Sequence, residues 1–385
     1  MLVVLILLLV FIAYSLVEYA LHRRSLGRIP IRVQVNGTRG KSSVTRLIAA
    51  GLRAGGRRVV AKTTGTRASF ILGDDEERPV LRLGKPNIGE QIRMVRTARR
   101  MKADALVFEN MSLIPQYQIV ENRMLVRPTH AVVTNVRADH LDVMGPRVSD
   151  VGRTFGRALP RKSVLFTAER AQLGPLTGEG RHEAVVADPG AVRDEEMHGF
   201  NHVEHRENVA LALGVCERLG VDRATALAGM KRSRPDPGAL RVHLLRHEGR
   251  EVEFVNALAA NDPDSIGMIW QLVKDRDKQR IVLVNCRSDR QERSRQMAEL
   301  VVGFGAERYV ATGGTTRVFL RRAVELGIAR DRLTDLGENL APAVVYKGLF
   351  ELVRGEALVF ACGNTVGYGE ELVGYFVRAG GADGH

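Results

Sequence analysis

The chain has 385 residues, 45% of them hydrophobic and 26% charged, which fits a two-domain globular protein and excludes a disordered or polytopic membrane chain. Its 3 cysteines are too few and too scattered for a disulfide scaffold or a Cys-rich zinc site. The net charge of +13 comes mostly from Arg residues spread along the chain, and aromatic side chains make up only 5%. This composition favours small or polymeric anions as partners, and we expect no nucleic acid.

The chain begins with an apolar stretch, MLVVLILLLVFIAYSLVEYAL, whose one formal side-chain charge is Glu18. About 20 apolar residues span a bilayer as a helix. The stretch lacks the basic start and small-residue cleavage site of a signal peptide, and it is apolar on all sides, unlike an amphipathic core helix. Arg23, Arg24 and Arg28 follow. The positive-inside rule therefore predicts a single-pass anchor over 1–22 in the cell membrane, with cytoplasmic catalytic domains.

After the anchor, short apolar runs alternate with helical stretches. The strand candidates are Ile29–Val35, Arg58–Ala61, Ala105–Phe108, His130–Val136, Ser163–Thr167, Glu251–Val255, Arg280–Asn285, Arg308–Thr312 and Ala357–Ala361. Helical spacing is seen over 44–54 and 208–231. This alternation predicts an α/β fold with mostly parallel, doubly wound sheets. The break at Pro235–Gly238 separates a predicted domain over 30–235 from a second over 240–385.

A Gly-rich turn joins the first strand to the following helix. Its residues are Asn36, Gly37, Thr38, Arg39, Gly40, Lys41, Ser42 and Ser43. The two glycines let backbone N–H groups converge on phosphate oxygens at a helix N-terminus. Lys41 is placed to reach the β- and γ-phosphates, and the Ser42 hydroxyl to ligate Mg²⁺. The slot of the first Gly of the usual P-loop holds Val35, so the turn predicts a shorter form of P-loop that binds ATP and Mg²⁺.

Two further strands end in groups that suit a Mg-nucleotide site. Glu109 ends one apolar strand, and Asn135, Asp139, His140 and Asp142 follow another. Ligands in α/β folds bind at the carboxyl ends of strands. With the P-loop serine, Glu109 and His140 are the predicted metal ligands, and with the P-loop lysine they form the predicted catalytic set. The alternative for each residue alone is a solvated or structural side chain.

The motifs Asn-Gly-Thr-x-Gly-Lys-Ser, a strand ending in Glu, and Asn-x-x-x-Asp-His-Leu-Asp, in this order, resemble the Mur ligase superfamily. These ATP-dependent amide ligases include the peptidoglycan-precursor ligases and folylpolyglutamate synthase. Weaker matches occur at His202–Ala212, Leu240–Val242 and Asn256–Ser265. The resemblance implies a P-loop central ATPase domain and a smaller Rossmann-like C-terminal domain. It also implies that Asn208 contacts the adenine side and Arg241 the nucleotide near the hinge.

Departures from the superfamily pattern indicate a branch. No nucleotide-sugar-binding domain precedes the P-loop, and an apolar segment stands there instead. In this respect the chain resembles the ligase subunits of capsule-type poly-γ-glutamate synthases. That resemblance implies γ-glutamyl amide bonds formed through an acyl phosphate. It implies glutamate and the growing poly-γ-glutamate chain as substrates, and small membrane subunits as partners, while an oligomer is left open. Because Val143–Arg161 contains no Lys, direct ligands or water are expected in place of the carbamylated Lys of many Mur ligases.

Arg287 and Arg290 follow a strand of the second domain. Guanidinium groups bind carboxylates bidentately, so both are candidates for binding the acidic substrate, with solvated surface arginines as the alternative. The second domain is expected to close over the site and exclude water. Three alternative functions remain open at this point. One is a folylpolyglutamate-synthase-like or other Mur-type amino-acid ligase, and another is a membrane-anchored P-loop phosphotransferase. A non-catalytic nucleotide sensor is the third possibility.

Overall fold

The computed structural model describes residues 1–65, 68–73, 76–82, 84, 86–178, 180–200, 202, 204–235, 242–258, 260, 263–274 and 277–382. The helices are α1 (Leu2–Leu26), α2 (Lys41–Ala54), α3 (Glu90–Arg100), α4 (Pro115–Val120), α5 (Leu141–Met144), α6 (Val148–Ala158), α7 (Leu173–Thr177), α8 (Asp194–Met197), α9 (Arg206–Arg218), α10 (Arg223–Arg232), α11 (Pro263–Val273), α12 (Gln291–Val301), α13 (Thr316–Glu325), α14 (Pro342–Glu351) and α15 (Tyr368–Ala382). A π-helical segment, Glu121–Val126, continues α4, and short 3₁₀ segments lie at Pro189–Ala191, Ser288–Arg290, Val302–Phe304 and Arg330–Arg332.

The strands are β1 (Ile31–Asn36), β2 (Val59–Thr63), β3 (Ser69–Ile71), β4 (Glu77–Pro79), β5 (Ala105–Glu109), β6 (His130–Val133), β7 (Val164–Thr167), β8 (Ala184–Val186), β9 (Val242–His247), β10 (Arg250–Asn256), β11 (Gln279–Cys286), β12 (Arg308–Gly313), β13 (Leu333–Glu338) and β14 (Glu356–Gly363). By its contacts the chain divides into two compact units, Met1–Gly238 and Ala239–His385.

The first unit is built on an eight-stranded sheet of order β4-β3-β2-β5-β1-β6-β7-β8. β1 pairs in parallel with β5 on one side and β6 on the other, whereas β3 and β4 pair antiparallel at one edge. The predicted mostly parallel α/β class is confirmed. In this order the carboxyl ends of β2, β5, β1 and β6 lie side by side at one edge of the sheet, and the P-loop follows β1.

The central strands are buried on both faces, which explains their continuous apolar sequences. Every residue of β5 is buried. On one face, α2 packs against the sheet through residues such as Val44, Leu47 and Ile48, each at most 1% exposed. Helices α9 and α10 cover α2 in turn. The contact is close because a Cβ on Gly229 would lie 2.6 Å from the carbonyl oxygen of Ala50.

Helix α1 is one continuous helix of 25 residues, the single described helix long and apolar enough to cross a membrane. Residues 2–17 are exposed, whereas His22, Ser25 and Leu26 are buried. His22 Nε2 lies 2.8 Å from the carbonyl oxygen of Leu125 in the π-helical segment. The C-terminal end of α1 is therefore part of the packed unit.

The second unit is a smaller α/β domain with sheet order β13-β12-β11-β14-β10-β9. All neighbours pair in parallel except β9, which pairs antiparallel with β10. The chain runs outward from β11 to β13 and returns to place β14 beside β11, as in Rossmann-like folds. One side of its core contains the ring of Trp270 stacked on Phe304 at 4.7 Å between centroids.

Two predicted elements differ from the structure. The helix expected over 208–231 is interrupted, because Gly220 has φ +81° and Asp222 caps a new helix by accepting a hydrogen bond from Thr225 N at 3.1 Å. The strand expected to reach Val136 ends at Val133, where the chain turns to contact the P-loop. Five short or polar strands, β3, β4, β8, β9 and β13, were not predicted.

Candidate active site

The P-loop, the strand ends of β2, β5 and β6, and α4 enclose a cavity of about 290 Å³. Its walls are formed by Asn36, Gly37, Thr38, Arg39, Lys41, Thr64, Gly65, Glu109, Asn110, Met111, Ser112, Leu113, Gln118, Asp139, His140, Met144 and Phe155. The structure thus brings most of the predicted P-loop residues together with Glu109 and His140. Ser42 joins this group through a hydrogen bond to Glu109.

Both glycines of the P-loop are required by its backbone. Gly37 has φ +126°, and a Cβ there would lie 2.1 Å from Thr134 Oγ1. Gly40 has φ +79°, and a Cβ there would lie 2.8 Å from Asn208 Oδ1. L-residues other than glycine are strained at positive φ. The loop can therefore lie against both β6 and α9 only with glycine at these positions.

The end of β6 fixes the P-loop. Asn135 Oδ1 accepts a hydrogen bond from Arg39 N at 3.0 Å, and the Asn135 carbonyl accepts one from Thr38 N at 3.1 Å. Thr134 Oγ1 donates to the Arg39 carbonyl at 2.5 Å. Because Asn135 forms its hydrogen bonds with the P-loop, it does not continue β6, which ends at Val133.

Lys41 folds back over its own loop. Its Nζ donates to the carbonyls of Gly37 at 2.8 Å and Thr38 at 3.2 Å. Burial lowers the pKa of the Lys41 ammonium, and the nearby Glu109 carboxylate opposes that shift. A phosphate that took the place of the two carbonyls would offer this ammonium a stronger acceptor.

Glu109 lies at the floor of the cavity and is 2% exposed. Its Oε2 accepts hydrogen bonds from Ser42 Oγ at 2.8 Å and from Thr64 N at 2.7 Å. Both of these hydrogen bonds go to the same carboxylate oxygen. The carboxylate and the serine hydroxyl are both oxygen donors of the kind that Mg²⁺ prefers, alongside several waters.

His140 and Asp139 line the cavity from the segment that follows β6. His140 has φ +49°, and its Nε2 lies 3.6 Å from Asp139 Oδ1, while the Asp139 carboxylate also faces Arg39. Non-glycine residues at positive φ cluster at functional sites. No three His, Cys, Asp or Glu side chains meet as a preformed metal cluster in the part of the chain that the structure describes, so any metal here must take hydroxyl, phosphate or water oxygens as well.

A buried polar network behind the cavity escaped sequence analysis. The Glu121 carboxylate, fully buried on the π-helical segment, accepts hydrogen bonds from Gln34 Nε2 at 3.2 Å and Gln91 Nε2 at 2.7 Å. It also accepts them from Met111 N at 3.2 Å and Ser112 Oγ at 2.9 Å. Glu121 therefore holds in place the loop that follows Glu109. The one signal in the sequence is Gln34, a polar residue inside an apolar strand.

Helix α4 touches the P-loop directly. Gln118 Oε1 accepts a hydrogen bond from Asn36 Nδ2 at 3.1 Å, and Asn110 Nδ2 donates to Asn36 Oδ1 at 3.3 Å. Asn36 is 7% exposed. Its side chain therefore braces the loop, and the backbone of the following residues faces the cavity.

A buried ion pair lies beside the end of β2. Lys62 Nζ is 3.3 Å from Glu90 Oε2, with the two side chains 0% and 3% exposed. Arg82 Nε approaches the other Glu90 oxygen at 2.6 Å. This Lys62–Glu90–Arg82 group anchors α3 next to the cavity, and its residues too were not singled out from the sequence.

Asn208, Arg287 and Arg290 were also predicted, but they do not line the cavity. Asn208 is buried beside Gly40, with its Nδ2 donating to Glu204 Oε1 at 2.7 Å. Arg241 lies outside the described residues, as do parts of the three weaker motifs. Arg287 and Arg290 follow β11 in the second unit, where Arg287 forms a fork with the two oxygens of Asp289 at 3.0 and 2.7 Å.

A P-loop on a mostly parallel sheet, a carboxylate at the end of the adjoining strand and a following Rossmann-like unit define a Mur-type ligase, a class of ATP-dependent amide ligases. Family comparison agrees. Residues 35–151 match the Mur ligase middle domain, and residues 242–379 match the C-terminal domain of the poly-gamma-glutamate synthase CapB.

The full-length relatives identify the branch. The chain is 39% identical over 371 residues to the capsule biosynthesis protein CapB of Bacillus anthracis, covering 94% of this chain and 80% of that one. It is 34% identical over 373 residues to the PGA synthase CapB of Bacillus subtilis (strain 168), covering 94% of each. The chain belongs to the CapB family of Mur-type ligases.

Solved structures share the fold. A bifunctional folylpolyglutamate synthase/dihydrofolate synthase from Yersinia pestis, complexed with AMPPNP and Mn ion, matches with a TM-score of 0.63 and 14% identity. The match covers 94% of this chain and 92% of that chain.

Proposed function

We propose that this chain is the ligase of a poly-γ-glutamate synthase, and that it joins glutamate units through γ-amide bonds with ATP and Mg²⁺ at the cytoplasmic face of a membrane. The observation that carries the proposal is the cavity itself, where the P-loop lysine and the buried Glu109, which accepts a hydrogen bond from Ser42, face one space. The CapB relatives, one of them named a PGA synthase, supply the choice of glutamate among acid substrates.

Ser42 Oγ and Glu109 are the residues that would hold Mg²⁺, with His140, which also lines the cavity, as a third candidate. When bound, the ion would neutralise charge on the β- and γ-phosphates. The donors fit this ion because the hydroxyl and the carboxylate already lie 2.8 Å apart. The Thr64 N–H bond at 2.7 Å to Glu109 keeps the carboxylate turned toward Ser42.

The chain's own residues stabilise the negative charge that develops in the two steps of the reaction. The γ-carboxylate of one substrate molecule attacks the γ-phosphorus of ATP. The bond from that phosphorus to the β-γ bridging oxygen breaks, ADP departs, and the product is an acyl phosphate. The amine of the next glutamate attacks the acyl carbon and expels phosphate, giving up a proton. Lys41 and the P-loop N–H groups stabilise the negative charge that both steps accumulate on phosphate oxygens. A cavity set behind buried walls limits the water that would hydrolyse the acyl phosphate.

Helix α1 supports a membrane location for this chemistry. Residues 2–21, which precede the buried end of the helix, are about 30 Å long, enough to cross a hydrocarbon core of about 30 Å. Arg23 and Arg24 lie in the last turn of the helix and favour a cytoplasmic position for the rest of the chain. A membrane-bound ligase is suited to pass its polymer to small membrane subunits, which we propose as its partners.

The test is ADP release by the full chain in membranes or nanodiscs, with glutamate or short γ-glutamyl oligomers as acceptors. Hydroxylamine added to the same reaction should trap the acyl phosphate as a hydroxamate, and mass analysis should show γ-linked products. Lys41→Ala should abolish turnover, whereas Lys162→Ala, an exposed lysine outside the cavity, should leave it unchanged. Turnover of Lys41→Ala within twofold of the wild type would remove the ATPase assignment.

The metal assignment has its own test. Glu109→Gln keeps the shape and an acceptor oxygen but removes the charge, and His140→Ala removes the imidazole. Both should lower kcat, and their effects should be non-additive if they act on one ion. ADP release without hydroxamate or product would indicate a phosphotransferase. Products with only α-linkages would keep the ligase class and reject poly-γ-glutamate.

A further inference from the structure

The second unit carries a groove that the proposed chemistry does not use. It has a volume of about 560 Å³ and lies between α13 and the edge strand β13. Arg317 and Arg321 line it from α13, and Arg330 lines it from the 3₁₀ segment that precedes β13. All of its lining residues belong to this unit.

The groove contains more guanidinium groups than its own carboxylates neutralise. Glu325, one of its two carboxylates, is already paired with Arg321 at 3.1 Å and Arg322 at 3.3 Å. The other, Asp335, accepts hydrogen bonds from Thr316 Oγ1 and from a backbone N–H within its own turn. Neither Arg317 nor Arg330 forms an ion pair within the described part of the chain. The groove therefore has uncompensated guanidinium groups on both α13 and the 3₁₀ segment.

The space between the guanidinium groups is apolar. Leu320, Val324 and Leu333 line it, and Val324 is 36% exposed. Leu320 and Val324 lie one helical turn apart on α13, next to Arg317 and Arg321, which are spaced in the same way. A ligand that fills this groove must offer aliphatic surface along its length and anionic groups at regular intervals.

We propose that this groove binds the growing poly-γ-glutamate chain, an inference that rests on the proposed function. A γ-linked residue contributes two methylene groups to the backbone and one free carboxylate. Its repeat has five backbone bonds, so scaling the roughly 3.5 Å of a three-bond α-peptide repeat gives about 6 Å between successive carboxylates. Because five is an odd number, successive carboxylates of the extended chain alternate sides, so they suit guanidinium groups that come from two elements, Arg317 on α13 and Arg330 before β13.

The apolar stripe favours a γ-linked over an α-linked polymer. Both repeats have an odd number of backbone bonds, so the carboxylates of either chain alternate sides when it is extended, and their spacing does not separate the two polymers. An α-linked chain presents an amide about every 3.5 Å, where the γ-polymer presents methylenes between amides about 6 Å apart. The apolar stripe of Leu320 and Val324 leaves the more closely spaced amides of the α-linked chain without partners, at a cost. The groove thus serves to retain the product between additions.

The test measures binding and turnover separately, with the full chain in nanodiscs. A fluorescent γ-glutamyl decamer is titrated without ATP, so the result does not depend on catalysis. The variant Arg317→Gln/Arg330→Gln should weaken decamer binding about tenfold and raise the KM for decamer acceptor by the same factor. The KM for single glutamate and the kcat should stay within twofold. The matched control Arg354→Gln/Arg378→Gln removes two exposed arginines of the same unit outside the groove and should change neither value.

Several results would overturn the proposal. One is equal loss of decamer binding in the groove variant and the control. Another is binding of an α-linked decamer or a single-stranded oligonucleotide as tightly as the γ-decamer, which would mark a general anionic surface. A wild-type chain that binds the γ-decamer in the groove but releases no ADP with any glutamate acceptor would uphold the groove and reject the ligase assignment instead.

Discussion

Gly40→Ala tests how the P-loop is held against α9. The change adds one methyl group at a residue with φ +79°, in the region where a Cβ clashes with the following carbonyl oxygen. That strain costs about 1–2 kcal/mol, partly offset by roughly 0.4–1 kcal/mol from the less flexible unfolded chain. The backbone effect alone is therefore about 1 kcal/mol.

The second part of the cost comes from Asn208. The new Cβ would lie 2.8 Å from Asn208 Oδ1, closer than ordinary contact, so the amide must move. It is held by its bond to Glu204 at 2.7 Å, and breaking a buried bond to a charged group costs about 1–3 kcal/mol. Gly40→Ala should thus destabilise the folded chain by about 2–4 kcal/mol in total.

A double-mutant cycle separates the two parts. Asn208→Ala removes the obstacle, so Gly40→Ala in that background should cost only the backbone term of about 1 kcal/mol. The free energy of unfolding is measured by urea titration of all four proteins, with ATP affinity as a second readout. An equal cost of Gly40→Ala in both backgrounds would refute the contact between the P-loop and α9. A cost below about 0.5 kcal/mol in the wild type would refute the backbone argument as well.

Two further predictions concern charge. Lys62→Met should lower the free energy of unfolding by about 3 kcal/mol, because it leaves Glu90 buried without one of its cations, and urea unfolding checks this against the exposed change Lys162→Met. Hydrogen bonds from Arg223 and from a backbone N–H lower the pKa of Glu196 from 4.5 to about 2. The stability it contributes is present above pH 4.5 and should be lost as the pH falls toward 2. Glu196→Gln should flatten the acid limb of the stability curve, and an unchanged limb would contradict the assignment.

Most of the strands that the sequence predicted are buried on both faces. β1, β5, β6 and β11 consist of apolar runs bounded by punctuation, so their pattern is strong. β13 has the sequence Leu-Thr-Asp-Leu-Gly-Glu, and β4 is Glu-Arg-Pro. These edge strands have one partner and partial exposure, so their residues reflect solvent rather than a core. Only the pairing, which depends on distant parts of the chain, makes them strands.

The residues of the candidate site likewise divide into those that the sequence predicted and those that it did not. The P-loop and Glu109 were predictable because phosphate chemistry requires those residue types next to a strand. The side chains that position them were not. Glu121 lies on a π-helical segment and meets Gln34 and Gln91 only after the chain folds. Gln34 stands out as a polar residue inside an apolar strand, but the sequence does not show which side chains it meets. Asn135 illustrates the converse, since it follows the right strand yet holds the loop by hydrogen bonds.

The junction between α1 and the first unit supports a prediction about where the chain can be cut. A deletion of 1–21 keeps His22 and Leu26, whereas a deletion of 1–28 removes them. Leu26 is 3% exposed and packs with Leu106 and Phe108 in the core beneath α3. Burial of a leucine side chain contributes about 1.5–3 kcal/mol.

The hydrogen bond of His22 to Leu125 O at 2.8 Å adds about 1 kcal/mol. Both deletions remove the exposed apolar helix and should release the chain from washed membranes. The shorter deletion should unfold in urea with a free energy about 2–4 kcal/mol higher than the longer one. Equal midpoints for the two chains would show that the end of α1 contributes nothing to the unit. Retention of the shorter-deletion chain on washed membranes would instead mean that surfaces other than α1 also bind there.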